Sequence, residues 1–245
     1  MRKTKPNYGG TGWHVFVNLF FGVILVFATV FGVSLYHPLL TLLLLPSAYF
    51  ILKAFKWKKG EILEEKLKVR EEVIRVTKPK DGEKILDVGT GGGLLAIGFA
   101  KTIKDGEIVG IDVWLRLGGG TSIKNAEKNA EIEGVAGRVK FRRADVRSIP
   151  YPDNYFDVVV ASFVIHIIRK DREKALKEMV RVLKPNGRFT IVEPPKEDWT
   201  GWSVDEKLKE KLERLGLKNV RFQPLTLSYP KKRNVYLVYG EKGFS

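Results

Sequence analysis

Residues 84–95 read Lys84-Ile85-Leu86-Asp87-Val88-Gly89-Thr90-Gly91-Gly92-Gly93-Leu94-Leu95. A short apolar run, Lys84–Val88, enters a turn dense in glycine, and an apolar helical pattern, Leu94–Thr102, leaves it. A strand, a glycine turn and a helix in that order let backbone approach a ligand closely and aim helix N–H groups at it. Alone, such a turn is a weak signal. The next strand-like run, Glu107–Asp112, ends on an acid about 20 residues beyond the loop, where a carboxylate can accept both hydroxyls of a ribose. The glycines are spaced Gly89-x-Gly91-x-Gly93 rather than Gly-x-Gly-x-x-Gly, and no Gly-Lys-Ser/Thr follows, so a Walker-type triphosphate loop is excluded.

Outward from this segment, strand-like and helical patterns alternate. Helical spacing covers Glu61–Val76, Ser122–Glu133, Asp171–Leu183 and Val204–Leu215, and strand-like runs cover Arg138–Arg142, Phe156–Ser162 and Gly187–Glu193. Alternation of this kind predicts a parallel sheet covered by helices on both faces. Asn219–Ser228 and Asn234–Gly240 flank Tyr229-Pro230-Lys231-Lys232-Arg233, which predicts an antiparallel pair closing the sheet.

With Asp87-x-Gly89-x-Gly91-x-Gly93 in place, the chain from about Gly60 onward resembles the class I S-adenosylmethionine-dependent methyltransferases. Four further segments fit in order: Asp112; Ala144-Asp145-Val146; Tyr155-Phe156-Asp157 through Ser162; and Leu183-Lys184-Pro185-Asn186-Gly187, where Asn186 still tolerates a left-handed turn. The resemblance implies a Rossmann-like, doubly wound, seven-stranded α/β sheet with an antiparallel C-terminal pair, and S-adenosylmethionine as cofactor. It carries cofactor binding to Asp87, Gly89, Thr90, Gly91 and Gly93, to Asp112 with Val113 and Trp114, to Asp145 with Val146, and to Ser162. Asp112 corresponds to the family's ribose acid, Asp145 to the acid that receives the adenine amino group, and Asp87 to an acid near the cationic methionine end. A dehydrogenase would put a pyrophosphate beside Asp87. The closest branch by these motifs is that of quinone and sterol methyltransferases, although the motifs are widely shared.

The 245 residues include no cysteine, which excludes disulfides, Cys-ligated metal sites and thiol nucleophiles. Three histidines, His14, His37 and His166, offer no His-rich metal site, and no metal is expected. Abundant Lys and Glu with scarce Gln and only two Met is the bias of heat-adapted proteins. The net charge of +15 is unevenly spread: residues 1–59 hold seven basic side chains and no acidic one, leaving +8 for the remainder. Between Lys5 and Lys53 no charged residue occurs.

That uncharged stretch contains two apolar runs, Trp13–Tyr36 and Pro38–Leu52, separated by a turn at Tyr36-His37-Pro38. The first is long enough to cross a hydrocarbon layer of about 30 Å as a helix, and the second reaches that length if Lys53 snorkels. The reading is an N-terminal transmembrane hairpin over residues 1–59, with Pro46 kinking its second helix, ahead of a methyltransferase domain over residues 60–245. A cleavable signal peptide, the alternative, has a shorter apolar core and would export the domain. Basic residues at both outer ends and none in the turn predict a multi-pass anchor in the cell membrane with the N-terminus and the domain in the cytoplasm. Phe55, Trp57 and Lys53, Lys56, Lys58 and Lys59 form a collar suited to headgroups, or the ordinary flank of any anchor.

Several residues are candidates for the chemistry beyond cofactor binding. His166 follows the fourth strand and is the sole histidine of the soluble part, so it is the candidate base and an acceptor contact, or else a packed residue. Trp114 opens a long segment with Gly118-Gly119-Gly120 and could cover adenine, or belong to a floppy insertion. Trp199 and Trp202 follow the fifth strand, where an acceptor pocket or a bilayer contact would use them, and simple packing against the terminal helix is the alternative. The function expected is methyl transfer to a small lipophilic acceptor, such as a lipid, isoprenoid or quinone precursor, with the bilayer as partner. The alternative is a tethered methyltransferase of protein or RNA. Interleaved charges in Glu61–Arg75 and Asp171–Arg181 read as solvated helix faces rather than a nucleic-acid surface.

Overall fold

A computed structural model of the protein describes residues 5–9, 12–35, 38–58, 61–114, 122–228 and 232–244. Tyr36 and His37, Lys59, the run Gly118–Gly120, and Tyr229–Lys231 lie outside the described residues, as do the side chains of His14, Phe55, Lys56, Trp57, Lys58 and Trp199.

Alternating apolar runs become the strands β1 (Lys84–Val88), β2 (Glu107–Asp112), β3 (Val139–Arg143), β4 (Phe156–Ser162) and β5 (Leu183–Glu193). A two-residue pair, β6 (Lys196–Glu197) and β7 (Trp202–Ser203), precedes the long β8 (Leu217–Leu227) and β9 (Arg233–Lys242). The main sheet has seven strands in the order β3-β2-β1-β4-β5-β9-β8. Its first five strands are parallel, and β9 runs antiparallel to both β5 and β8. The strand order reverses between β1 and β4, and such a switch point opens a crevice at the carboxyl ends of the strands.

Period-two alternation sorts the core into two layers. Ile85, Val158, Val160 and Val192 pack under the helices α3 (Glu61–Thr77), α4 (Leu94–Thr102) and α5 (Ile123–Ile132). Leu86, Val88, Val159 and Phe189 pack on the opposite face under α6 (Arg172–Val182) and α7 (Glu206–Arg214). The predicted Lys84–Val88, Leu94–Thr102, Glu107–Asp112 and Phe156–Ser162 coincide with the observed elements. Asn186 takes the left-handed conformation expected of it, at φ 61°.

Ahead of α3, the chain forms α1 (Gly12–Leu35), a 3-10 turn (Pro38–Leu43) and α2 (Leu44–Lys58). Among the described residues one helix is long and apolar enough to cross a membrane, over Phe16–Val33 with mean hydropathy 2.4. The second apolar stretch, Thr41–Lys53, is shorter. Its first residues adopt the 3-10 turn, and the 15 residues of α2 rise about 22 Å, so a second full span is not formed by a single α-helix. Pro46, the residue expected to kink the second helix, is the third residue of α2, in the first turn, where a missing N–H removes no bond within that helix. The two helices pack as an antiparallel hairpin. Ser47 Oγ donates to the Gly22 carbonyl at 2.9 Å, and the Phe21 and Phe50 rings lie 5.9 Å apart. A Cβ on Gly22 would stand 2.7 Å from Ile51 Cγ1, so glycine permits the close approach.

Asn7–Gly9 turn back onto the sheet domain instead of projecting away with the hairpin. Tyr8 is buried in the α3–α5 layer, and its hydroxyl donates to Glu133 at 2.9 Å. The Lys66 ammonium of α3 donates to the Tyr8 carbonyl at 2.7 Å, and burial pushes its pKa down to about 8. Residues 7–9 thus join the core of the unit that begins at residue 61.

Candidate active site

The crevice at the switch point is a cavity of about 530 Å³. Each wall comes from the carboxyl end of a strand: Val88 and Gly89 after β1, Asp112 to Trp114 after β2, Ala144 to Arg147 after β3, and Phe163, Val164 and Ile167 to Lys170 after β4. Of the residues singled out in the sequence, Gly89, Asp112, Val113, Trp114, Asp145 and Val146 line it.

The glycine loop is held from below. Asp87 is buried, and its Oδ2 accepts from the Thr90 hydroxyl at 2.6 Å and the Ala96 N–H at 3.0 Å. The carboxylate therefore ties the loop to the first turn of α4 and does not line the cavity. Burial raises its pKa to about 7, against the pull of those two donors. Gly89 has φ +66°, and a Cβ there would lie 2.2 Å from Val164 Cγ2, so the turn accepts no side chain at this position. Gly93 is the N-cap of α4 at φ 85°, and a Cβ on it would meet the Phe141 ring at 2.9 Å. Its absent side chain serves packing.

Asp112 stands at the mouth with both oxygens engaged by backbone. Oδ2 accepts the Gly91 N–H at 3.0 Å, and Oδ1 accepts the Trp114 N–H at 2.7 Å. Each oxygen retains a lone pair for a further donor, so the carboxylate can take the two hydroxyls of a ribose. Trp114 closes the same corner: its backbone is left-handed at φ 41°, and its buried indole N–H donates to the Gly91 carbonyl at 2.9 Å. It thus braces the glycine loop while lining the cavity. At the far end, Arg147 grips Asp145 through its backbone N–H at 2.8 Å and its guanidinium at 2.6 Å. That guanidinium holds the Asp145 carboxyl below the usual range. The cavity so built has two carboxylates at its ends and apolar walls of Val113, Val146, Val164 and Ile168 between, which suits a flat base, a ribose and a cationic tail. The residues present fit S-adenosylmethionine.

Ser162 ends β4 and lies outside the cavity lining. His166 sits on the turn after it, with Nδ1 2.5 Å from Glu193 Oε2. Trp202, expected to face an acceptor, is buried instead: its indole N–H donates to the Pro194 carbonyl at 2.9 Å, it packs with Leu208 and Leu212 of α7, and Arg172 covers the ring. Sequence reasoning missed Arg147, Glu193 and the support from Asn7 and Tyr8. Asn129, itself buried, donates from Nδ2 to the Gly92 carbonyl at 2.9 Å and to the Asn7 carbonyl at 2.8 Å. A Cβ on Gly92 would lie 2.9 Å from Tyr8 Cα, so the loop is backed directly by the N-terminal segment.

Comparison with known proteins adds to this geometry. Residues 86–191 match the family described as "Methyltransferase domain". The ubiquinone/menaquinone biosynthesis C-methyltransferase UbiE of Azotobacter vinelandii is 33% identical over 121 residues, covering 49% of this chain and 46% of the relative. The chain thus aligns with about half the length of the curated relatives it matches. Among solved structures, the fold is shared with YcgJ of Bacillus subtilis at TM-score 0.59 and 18% identity, over 72% of this chain and 98% of that one. It is shared as well with an S-adenosylmethionine-dependent methyltransferase of Aquifex aeolicus at TM-score 0.55 and 24% identity, over 71% and 89% of the two chains. From Leu86 to Ile191, across the glycine loop and the acids at the ends of the strands, the chain matches a methyltransferase domain and has the fold of an S-adenosylmethionine-dependent methyltransferase.

Proposed function

We propose that this chain is a membrane-anchored methyltransferase that C-methylates a small lipophilic acceptor of the quinone-precursor type. The observation that carries the reading is the hairpin joined to the domain at both ends. Apart from Ile167 and Phe244, every large apolar side chain exposed among the described residues belongs to residues 16–52, including Phe20, Phe27, Phe31, Leu45 and Leu52. A surface of this extent suits lipid rather than water. The activity for which the UbiE relatives are named, C-methylation in ubiquinone and menaquinone biosynthesis, supports the choice of acceptor class. Docking of Asn7–Gly9 on the domain supports a topology in which both outer ends of the hairpin lie on the domain's side, and the basic flanks favour the cytoplasmic one.

S-adenosylmethionine, when bound, supplies an electrophilic methyl group on a sulfonium. The chain's own residues bind and orient. Asp112 and Asp145 hold the two ends of the cavity, Trp114 and Asp87 keep the glycine loop in shape, and the apolar wall excludes water. Holding two reactants in line is worth about 7–11 kcal/mol of a barrier, so positioning supplies much of the catalysis here.

The test is incubation of the purified chain and labelled methyl donor with membranes, cytosolic protein and RNA. Label extracted with lipid supports the reading. Label confined to protein or RNA, with activity falling steeply as salt rises, would replace it with the macromolecular alternative. Reaction of a cysteine introduced at Ser203 with impermeant reagents in sealed cells would reverse the topology.

A further inference from the structure

We propose that Glu193 is a positioning residue that makes His166 a proton acceptor, and that the acceptor is therefore a molecule that must lose a proton, such as a hydroxylated aromatic ring. The proposal rests on the reading that the cavity binds the methyl donor.

Glu193 closes β5, fully buried. Its carboxylate meets four donors on the loop after β4. Oε1 accepts the Val164 N–H at 3.1 Å and the Ile165 N–H at 2.7 Å, and Oε2 accepts the His166 N–H at 3.3 Å and pairs with Nδ1 at 2.5 Å. An oxygen that already accepts a backbone N–H is an acceptor toward the ring as well, so Nδ1 carries the proton and Nε2 holds the free lone pair. Among the described residues no hydrogen bond engages Nε2. The imidazole is partly exposed, on a turn whose neighbours Val164 and Ile167 line the cavity. The Phe163 ring, another wall of the cavity, stands edge-on to it at 6.3 Å.

A simple cap for the turn would need only the backbone N–H groups. Here the same carboxylate fixes the ring's tautomer and compensates the charge that the ring acquires on taking a proton. The other charges nearby are cations: Arg172, bonded to the Ile165 carbonyl and near Glu193, Arg233 over the Phe163 ring, and Arg169 and Lys170 in the cavity wall. They oppose an imidazolium, and Glu193 is what favours it. In the step, the ring hydroxyl proton passes to Nε2, and the electron pair it leaves, delocalised into the ring, forms the new carbon–carbon bond. The carbon–sulfur bond breaks with its pair on sulfur, and the displaced ring hydrogen leaves as a proton.

The test uses the full chain in detergent micelles. Nitrogen NMR of the His166 ring should show Nδ1 protonated and Nε2 bare in the neutral parent, and a mixture of the two tautomers in Glu193→Gln. An unchanged tautomer overturns the proposal, and this readout needs no turnover. With a short-chain prenylated hydroquinone as acceptor, His166→Gln should lower kcat by about 100-fold or more with KM little changed. Glu193→Gln should lower it about tenfold and move the acid limb of the pH profile down, and Glu193→Asp should restore part of the rate. Turnover of His166→Gln within about twofold of the parent, or loss in Glu193→Gln with an unmoved limb, overturns it. Calorimetry separates the two readings. Failure of the parent chain to bind S-adenosylmethionine sinks the cavity assignment, whereas binding preserved in all variants with no kinetic effect sinks the dyad alone.

Discussion

The Gly91 N–H donates to Asp112 Oδ2 at 3.0 Å, so the acid at the end of β2 and the glycine loop after β1 are locked together before any ligand arrives. Removal of that carboxylate loosens the loop as well as the ligand. Asp112→Ala should weaken S-adenosylmethionine binding by about 1–3 kcal/mol, the scale of a lost acceptor for hydroxyl donors. Calorimetry on the folded variant checks it, and unchanged affinity would remove Asp112 from the cofactor site.

At Gly89 the constraint is steric. A methyl group there would collide with Val164 in a left-handed backbone position, at a conformational cost of about 1–2 kcal/mol before the clash is counted. Gly89→Ala should lower cofactor affinity at least about tenfold, and adding Val164→Ala should recover part of it because the collision partner is gone. A double variant no better than the single one would place the damage in the backbone alone.

Burial of Asp87 makes an acid–base prediction. Its pKa, raised to about 7, means that the folded chain holds a proton that the unfolded chain has released, so this group's contribution to stability is full at low pH and is lost as pH rises toward 7. Asp87→Asn keeps an acceptor and cannot titrate. Denaturation midpoints at pH 5 and pH 8 should therefore fall less in the variant than in the parent. Equal falls in both would show that Asp87 titrates in the ordinary range.

Tyr8 should count among the core residues despite its place outside the domain predicted from sequence. Tyr8→Ala removes a buried ring and the partner of Glu133, a change worth about 3–5 kcal/mol by comparison with other aromatic truncations. Thermal unfolding in detergent should shift down by roughly 10 °C. A Tm within a degree or two of the parent would mean that the segment is only loosely laid on the surface.

Much of the sheet was legible because local signals agreed. Lys84–Val88 is apolar and short, Gly89 turns the chain out of the strand, Gly93 caps the helix, and Leu94–Thr102 has helical spacing, so elements and turn follow from neighbours in sequence. Asp112 was legible through its position at the end of a strand, and Asp145 only through the resemblance of Ala144-Asp145-Val146 to a family segment. What the sequence hid depends on pairs distant along the chain. Glu193 meets His166 across 27 residues, and Tyr8 meets Glu133 across 125, with no periodicity to announce either. For Trp202 the sequence left two readings, an acceptor or bilayer contact and packing against the terminal helix, because a tryptophan in a polar loop gives no sign of which way it turns; the structure takes the second. The division of the hairpin's second segment into a 3-10 turn and an α-helix was hidden as well, because hydropathy counts apolar residues and does not announce where one helical form gives way to the other.

The docking of Asn7–Gly9 has a consequence in time. These residues leave the ribosome well before Asn125, Asn129 and Glu133, to which they bind. They must wait for more than a hundred residues of chain, the entire hairpin included, before their partners exist. The entropy of closing so long a loop grows slowly with its length, by about 0.6 kcal/mol per doubling, so the delay is kinetic far more than energetic. The backing of the cofactor loop is therefore written near the start of the chain and set in place only after α5 has formed.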